Sequence, residues 1–595
     1  MTTPDEDYPF DLGRYSRAVT TASPEAQVWF DRGLNWTYGF NHEEAVRCFE
    51  RCAELDPECA MAWWGIAYAL GPNYNKPWEA FDEDDLRSSV RRTHDAVERA
   101  VELAANATPV EQALAAALRA RYPDGVPAED CSIWDPLYAD AMSAVYHAHP
   151  DDVDVATLYA DALMNLTPWQ LWDIVTGDPA PGSRAIEARA VLDHALADLG
   201  GEDHPGVLHL YIHLMEMSTT PEQAVPIADR LRGLVPDSGH LEHMPTHLDV
   251  LCGDYRRVVA GNLDAIRADE KYVAERGMME FYTLYRAHNY HFAVYGALFL
   301  GQSRIALETV ARLEESIPED LLRVPSPPMA EWLEAFVGMR VHVLVRFGLW
   351  DELLALAVPT DTALYSMTTA LTYYGRGVAA AATGDIARAE AEQRLFEAAS
   401  ADVPEEHMLF NNSCSDVLKV AGAMLAGELA YRRGDVEEAF EHLRRSIDLD
   451  DTLLYDEPWG WMQPTRHAYG ALLLEQGRVE EACSVYEADL GVDGTIPRAR
   501  QHPANVWSLH GYHECLRRLG RHGEARIIGG QLTMAKALAD VPIEASCFCR
   551  LDTTHADTPA TDHHHLALAH DGCECDHDHA GQNHSSHEHA TQHHG

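Results

Sequence analysis

Basic side chains are scarce in this sequence, and lysine is the scarcest of them. The 595 residues contain 45 Lys and Arg against 95 Asp and Glu, which gives a formal net charge of −50. Lysine occurs only at Lys76, Lys271, Lys419 and Lys536. Because a protein that binds a phosphate backbone needs clustered Lys and Arg, we expect no nucleic-acid partner. The acidity favours solubility and leaves metal ions or basic segments as electrostatically suited partners.

Long apolar runs are missing as well. No stretch approaches the roughly 18 uninterrupted apolar residues of a membrane-spanning helix, so no membrane association is expected. The first residues, MTTPDEDYPFDLG, are acidic and lack the basic-then-apolar order of a secretory signal. These two absences predict a cytoplasmic location, with a reducing environment as the default.

What the sequence does contain is a helix-turn-helix pattern about 34 residues long. In the first unit the pattern positions are held by Trp29, Gly33, Trp36, Ala45, Phe49 and Pro57. Seven further turn-plus-helix segments follow: TPEQA (220–224), GDYRRV (253–258), GQSRIA (301–306), GLWDEL (348–353), GDIARA (384–389), GDVEEA (434–439) and GRVEEA (477–482). In the last six of these, a glycine is expected to supply the turn that ends one helix before the next begins.

The chain therefore resembles the tetratricopeptide-repeat superfamily over most of residues 24–540, with Arg32 in a slot where that family has Leu. The resemblance implies an all-α fold, an α-solenoid of stacked helix-turn-helix repeats that forms a superhelix with a concave groove. The stretches FNHEEA, AMAWWGIA, SGHLEHMPTH and YRAHNYHF also resemble a group of bacterial tetratricopeptide proteins with little functional description. That finer resemblance implies no activity and no substrate.

We divide the chain into four segments. Residues 1–22 are predicted to be an irregular leader, and residues 23–323 a first solenoid half with a histidine-lined groove. The motif VPSPP (324–328) breaks helix continuity and is interpreted as the start of a second half, residues 324–540. Residues 541–595 hold a Cys-x-Cys segment and a tail rich in His, Asp, Ala and Gly. Such a tail cannot bury a core, so we expect it to be disordered and to sequester transition metals through its imidazoles.

Seven histidines occupy groove-facing positions in three consecutive repeats. Positions 2, 5, 9 and 12 of each first helix lie three or four residues apart and therefore share one helix face. These positions hold His209, His213, His240, His243, His247, His288 and His291, with Glu216 and Tyr295 in two others. At the histidine frequency of the chain outside its tail, chance would place fewer than one histidine there. Asp161 and Asn165, on an earlier helix, are predicted to line one end of the groove.

Imidazoles three or four residues apart on one helix face lie close enough to bind one ion. Rows from three neighbouring first helices, which pack about 8–10 Å apart, can converge in the groove. We therefore predict a metal site, for one or two ions, that is formed by the seven histidines and Glu216. Its nitrogen-rich ligands favour a transition metal ion such as Cu, Zn or Fe over Mg or Ca.

Two alternative functions stay open. A groove-bound Cu or Fe ion with a free position is the basis of a metal-dependent oxidoreductase or hydrolase, although no residue is predicted to be catalytic. A plain tetratricopeptide scaffold would instead bind an extended peptide or a partner protein in its groove. Any one of these histidines is also compatible with ordinary packing, which is the interpretation for His342, His467 and His510. The segment DEPWGWMQPTR (456–466) is interpreted as a loop between repeats.

Overall fold

The structure is a computed structural model, and it describes residues 8–551. The first nine helices are α1 (Pro24–Tyr38), α2 (His42–Leu55), α3 (Ala60–Leu70), α4 (Glu83–Leu103), α5 (Pro109–Arg121), α6 (Asp135–Ala148), α7 (Val153–Met164), α8 (Ala185–Asp198) and α9 (Pro205–Glu216). They are followed by α10 (Val225–Leu231), α11 (Gly239–His243), α12 (Pro245–Leu251), α13 (Tyr255–Arg276), α14 (Thr283–Leu300), α15 (Ser303–Ser316), α16 (Glu319–Leu322), α17 (Met329–Val337) and α18 (Met339–Arg346).

The remaining elements complete the helical array. They are α19 (Trp350–Ala355), α20 (Ser366–Ala382), α21 (Ile386–Ala401), α22 (Cys414–Arg433), α23 (Val436–Thr452), α24 (Thr465–Glu475), α25 (Val479–Asp489), α26 (Val506–Arg518) and α27 (His522–Lys536). The two-residue strands β1 (Met408–Leu409) and β2 (Asn412–Ser413) pair antiparallel between α21 and α22. No helix of the described part of the chain is long and apolar enough to cross a membrane.

Consecutive helices pack as hairpins. α1 packs against α2, α3 against α4, α13 against α14, α20 against α21, and α22 against α23. Only residues 39–41 separate α1 from α2, and so short a turn makes the two helices run antiparallel. α2 also packs on α3, and α21 on α22, so that successive hairpins stack on one another. The predicted α-solenoid of helix-turn-helix repeats is confirmed.

The glycines of the repeat signatures end their helices as predicted. All six adopt the left-handed backbone conformation, with φ between +62° and +92°, at Gly253, Gly301, Gly348, Gly384, Gly434 and Gly477. A side chain in this conformation costs about 1–2 kcal/mol, which glycine avoids because it has no Cβ. The chain can therefore reverse direction within two or three residues at each of these turns.

The ring of Phe49 in α2 is packed between glycines of the two neighbouring helices. A Cβ at Gly65 would stand 2.5 Å from this ring, and a Cβ at Gly33 would stand 2.7 Å from it. We expect Gly65→Ala to lower the free energy of unfolding by about 1–3 kcal/mol, as overpacking a core does. Denaturant titration would measure the change.

Gly530→Ala is the matched control for this substitution. Gly530 lies inside α27, where an added Cβ meets no described atom within 4 Å. Alanine is the better helix former, so a gain of about 0.5–1 kcal/mol is expected there. Gly65→Ala protein as stable as the wild type would show that the Phe49 ring is not confined.

The structure describes only some of the segments into which the sequence divides the chain. All described residues belong to one compact unit, and residues 8–23 form no helix or strand. The VPSPP motif separates α16 from α17, whereas the division into two solenoid halves stays a prediction. In the Cys-x-Cys segment, Cys547 and Cys549 are joined by a disulfide. The histidine-rich tail from residue 552 lies outside the described residues, so its predicted disorder and metal binding also stay predictions.

Loops of the same chain cover the inner face of α9, α11, α12 and α14. The covering rings come from four separate loops and are Phe40, Tyr74, Trp169 and Phe410. Their centres lie 4.4–5.7 Å from the centres of the histidine rings on that face. The positions that face the groove in the repeat pattern are therefore enclosed here, and they are not open to solvent.

Candidate metal centre

Six of the seven predicted histidines meet in this enclosed region. His209, His213 and His240 form a first histidine set, and His243, His247 and His288 form a second, in each of which the ligand atoms lie within 4.8 Å of one another. We call the six histidines together with Glu216 the histidine chamber. None of its residues is more than 9% exposed.

The local sequence explains how each helix presents its ligands. On α9 the spacing of four and then three residues puts His209, His213 and Glu216 on one face. The next first helix is broken into α11 and α12 because Pro245 has no N–H to donate. The backbone N–H of His247 instead donates to Met244 O at 3.2 Å. The expected single helix is thus two short ones.

In the first histidine set, His209 and His240 face each other with their Nε2 atoms 3.1 Å apart. The Nδ1 of His209 donates to the backbone carbonyl of Tyr38 at 2.7 Å. Since a carbonyl oxygen only accepts, this Nδ1 carries the proton and the Nε2 presents a lone pair. The Nε2 of His213 has no hydrogen-bond partner among residues 8–551.

The second histidine set is oriented in the same way. The Nε2 atoms of His243 and His247 are 2.7 Å apart. The Nδ1 of His243 donates to Oδ1 of Asn262 at 2.6 Å. The amide group of Asn262 donates to Thr246 Oγ1 and to a backbone carbonyl, which fixes its Oδ1 toward the histidine. The ring of His288 completes the set, with its centre 4.5 Å from that of His243.

Glu216 connects the two sets. Its Oε1 lies 2.9 Å from Nδ1 of His213, and its Oε2 lies 2.6 Å from Nδ1 of His247. A carboxylate that holds the Nδ1–H of a histidine orients the Nε2 of that ring toward a metal. The sequence predicts Glu216 as a ligand, and its oxygen is also within 4.8 Å of ligand atoms of both histidines. The hydrogen bonds favour the orienting role.

Glu457 is a residue of the site that the sequence reasoning missed. Its Oε2 lies 3.8 Å from Nδ1 of His247, and its Oε1 is buried without a hydrogen-bond partner in the described part of the chain. Glu457 belongs to the 456–466 segment, which the sequence indicates only as a loop between repeats. The one available signal was an acidic residue among aromatic and proline residues, and nothing in the repeat pattern relates it to the histidines.

Burial lowers the pKa of every histidine in the chamber. The pKa of His209 falls to about 3 and that of His243 to about 4. In the other four, burial and then neighbouring imidazoles hold the pKa well below its usual value. All six imidazoles are therefore neutral near pH 7, which is the state that binds a metal ion.

Burial has the opposite effect on the two carboxyl groups. It raises the pKa of Glu457 to about 8, and burial together with the charge of Glu457 holds the pKa of Glu216 well above its usual range. A divalent cation between them would reverse this effect, because a nearby positive charge favours ionised carboxylates. The chamber thus offers neutral nitrogen ligands and two acidic groups that a cation would stabilise.

The remaining predicted residues lie beside the chamber or apart from it. His291 packs against Phe336 and Phe410, with ring centres 5.2 and 5.8 Å away, and does not join either set. Tyr295 stacks on Phe299 at 4.4 Å and is fully buried. A small cavity adjoining His209 is lined by Asp161, whose carboxylate accepts a hydrogen bond from Tyr68 at 2.6 Å, and Asn165 lies at the end of the same helix.

The comparison with known proteins identifies the repeat family in the first hairpin. The tetratricopeptide-repeat family model matches residues 26–59, which include most of α1 and all of α2. No curated protein matches the chain in sequence.

Several solved structures resemble the chain across most of its length. A chain of the APC/C hetero-tetramer Cut9–Hcn1 is 11% identical, with 91% of this chain and 97% of that chain covered and a TM-score of 0.25. Ypp1 is 8% identical, with 89% and 78% covered and a TM-score of 0.38. Yeast Tom70 is 11% identical, with 85% and 96% covered and a TM-score of 0.21. At these values the likeness supports no conclusion about function.

Proposed function

We propose that this chain, a member of the tetratricopeptide-repeat superfamily, binds transition metal ions in its histidine chamber. The observation that carries the proposal is the pair His243 and His247. Their Nδ1 atoms face oxygen atoms of Asn262 and Glu216, so that two Nε2 atoms point at each other across 2.7 Å. Two lone pairs at this distance repel, whereas an ion placed between the two nitrogens, at about 2.0–2.1 Å from each, would hold them roughly 3.3 Å apart in a tetrahedral site.

The donor set indicates which ions are suited to the chamber. Neutral imidazole suits Zn, Cu and Fe, whereas Mg and Ca prefer oxygen ligands. The carboxyl groups of Glu216 and Glu457 would become ionised beside such an ion and offset its charge. We therefore propose Cu, Zn or Fe as the bound metal.

A metal-free hydrogen-bond network is the competing explanation. A proton on Glu216 directed to His247 would let the Nε2 of His247 donate to His243. Such a network still leaves Nε2 of His213 without a partner within residues 8–551, and a metal ion would occupy that atom. Leaving a buried polar atom unsatisfied costs about 1–3 kcal/mol, so the network without a metal is the less favourable arrangement.

Elemental analysis of the full-length protein would test the proposal. We expect His243→Ala/His247→Ala to contain at least one equivalent less of Zn, Cu or Fe per chain than the wild type. Both proteins carry the same histidine-rich tail, so the difference reports the chamber alone. The matched control is His342→Ala, which removes a buried imidazole outside the chamber and should leave the metal content unchanged. Equal metal content in all three proteins would refute metal binding in the chamber.

Binding of an extended peptide is not proposed for this face. The rings of Phe40, Tyr74, Trp169 and Phe410 already cover it, and a peptide would have to displace them. We also propose binding in preference to catalysis, because every residue of the chamber is at least nine-tenths buried.

A further inference from the structure

We propose that the histidine chamber holds two metal ions, one in each histidine set, and that Glu216 couples their binding. This inference rests on the proposed function, because it presumes that the chamber binds metal at all. It goes further in assigning the number of ions and the residue through which one ion affects the other.

The number of inward-facing donors is the first argument for two ions. A four-coordinate ion uses at most four of the six imidazoles, and the other two would keep buried nitrogens that have no role. Ligand atoms group within 4.8 Å in two histidine sets, each drawn from adjoining helices, and a third group of His213, Glu216 and His247 links them. Three imidazoles per ion leave a further position at each site.

The position of the hydrogen bonds is the second argument. His209 in the first set and His243 in the second are each held at Nδ1 by their own acceptor, Tyr38 O and Asn262 Oδ1. Each set therefore has an independently fixed Nε2 atom at its centre. Each also has a facing Nε2 atom within 3.1 Å, on His240 and on His247. Two separate binding positions are built by the same pattern.

Glu216 supplies the coupling. One oxygen accepts from His213 of the first set and the other from His247 of the second, at 2.9 and 2.6 Å. An ion on Nε2 of His213 makes its Nδ1–H more acidic and draws the carboxylate charge toward that ring. The hydrogen bond from His247 to the same carboxylate then becomes weaker. Because that hydrogen bond raises the basicity of the ring, Nε2 of His247 becomes a less basic ligand.

The charge of the chamber is compatible with two cations. The ion-pair partners of Glu216 and Glu457 are the imidazoles of His213 and His247, which are neutral when they bind metal. Two carboxylates thus stand beside the proposed ions and offset half of the charge that two divalent cations bring. The carboxylate of Glu216 lies between the two sets, so it reduces the repulsion between the two proposed cations.

Metal content of three variants of the full-length protein tests the number of ions. His209→Ala/His240→Ala removes ligands of the first set, His243→Ala/His288→Ala removes those of the second, and the third variant combines all four changes. We expect the combined variant to bind two equivalents of Zn²⁺ fewer than the wild type. His342→Ala/His510→Ala, which removes two buried imidazoles outside the chamber, should bind as many as the wild type.

The outcomes separate this inference from the proposed function. A loss of only one equivalent in the combined variant overturns the two-ion assignment and leaves metal binding intact. No loss at all overturns both. If an alanine variant does not fold, as judged by circular dichroism, His240→Gln and His288→Gln keep a polar side chain, and each is expected to release one equivalent.

Zn²⁺ affinity measured by chelator competition tests the coupling. Removing the ligands of one set is expected to change the Kd of the ion in the other set by at least threefold. A Kd that stays within a factor of 1.5 of the wild-type value would overturn the coupling. The assignment of two ions would not be affected by that result.

Discussion

Removing the proposed metal ions with a chelator is expected to lower the free energy of unfolding by about 4 kcal/mol for each ion, when the free metal had been at a thousand times its Kd. The reason is that the unfolded chain does not hold six imidazoles in one place, so the ion binds the folded state selectively. Removing the ion also restores two facing pairs of Nε2 atoms, 2.7 and 3.1 Å apart. Denaturant titration with and without the chelator would measure the difference.

The control for this experiment is His243→Ala/His247→Ala treated in the same way. Its tail is unchanged, so any metal bound there contributes equally to both proteins. We expect the chelator to have a smaller effect on this variant than on the wild type, because one of the two sites is lost. If the wild type unfolds at the same denaturant concentration with and without chelator, the chamber contributes no metal-linked stability.

The repeat pattern was sufficient to predict the helical hairpins and which residues share one face of a helix. Helix periodicity puts His209 and His213 on one face, and the hairpin turns place that face against the next repeat. The glycine turns followed from the same pattern, since six signature glycines adopt positive φ. These features depend on local spacing, which the sequence displays directly.

The closure of the chamber could not be predicted in this way. Phe40, Tyr74, Phe410 and Glu457 reach the histidines from loops that lie far from them in sequence. The conformation of a loop does not follow from a periodic spacing of residues. A contact between side chains far apart in sequence is likewise not visible in the repeat pattern. The same limitation explains why the sequence indicates an open groove at a place where the structure has an enclosed one.

His291 shows that the spacing of histidines does not by itself decide which rings come together. His291 follows His288 by three residues on α14, and both stand at positions that face the groove in the repeat pattern. This spacing alone predicts that both rings face one ion. In the structure His291 is turned toward Phe336 and Phe410, so only His288 joins the second set. The three-residue step does not decide this, because His213 and Glu216 have the same spacing on α9 and are in contact. The neighbouring ring of Phe336 holds His291 away from the second set, and no spacing in the sequence displays that contact.

Glu216→Gln is expected to raise the Kd for metal by about 10- to 100-fold, the usual effect of removing a group that orients a metal-binding histidine. A glutamine at this position has one oxygen to accept a hydrogen bond, and its other terminal atom is an NH2 donor. It can therefore hold the Nδ1–H of His213 or that of His247, but not both. The histidine opposite the NH2 group must present a lone pair at Nδ1 and carry its proton at Nε2, where it blocks the metal.

Glu334→Gln is the matched control, since Glu334 is equally buried but accepts hydrogen bonds from the backbone of Met367 and Thr368. Its metal affinity is expected to equal that of the wild type. A Kd of Glu216→Gln within twofold of the wild-type value would contradict the orienting role.

Metal-free stability separates loss of orientation from simple misfolding in Glu216→Gln. The substitution replaces a buried acidic group, whose pKa burial raises, with a neutral amide of the same size. In the metal-free protein, burial already favours the uncharged acid, so the substitution exchanges one neutral polar group for another. We therefore expect the metal-free variant to unfold at the same or a higher denaturant concentration than the metal-free wild type, while its metal affinity falls. A misfolded chamber would lower both quantities together, so only the divergence of the two supports Glu216 as the residue that aligns both histidine sets.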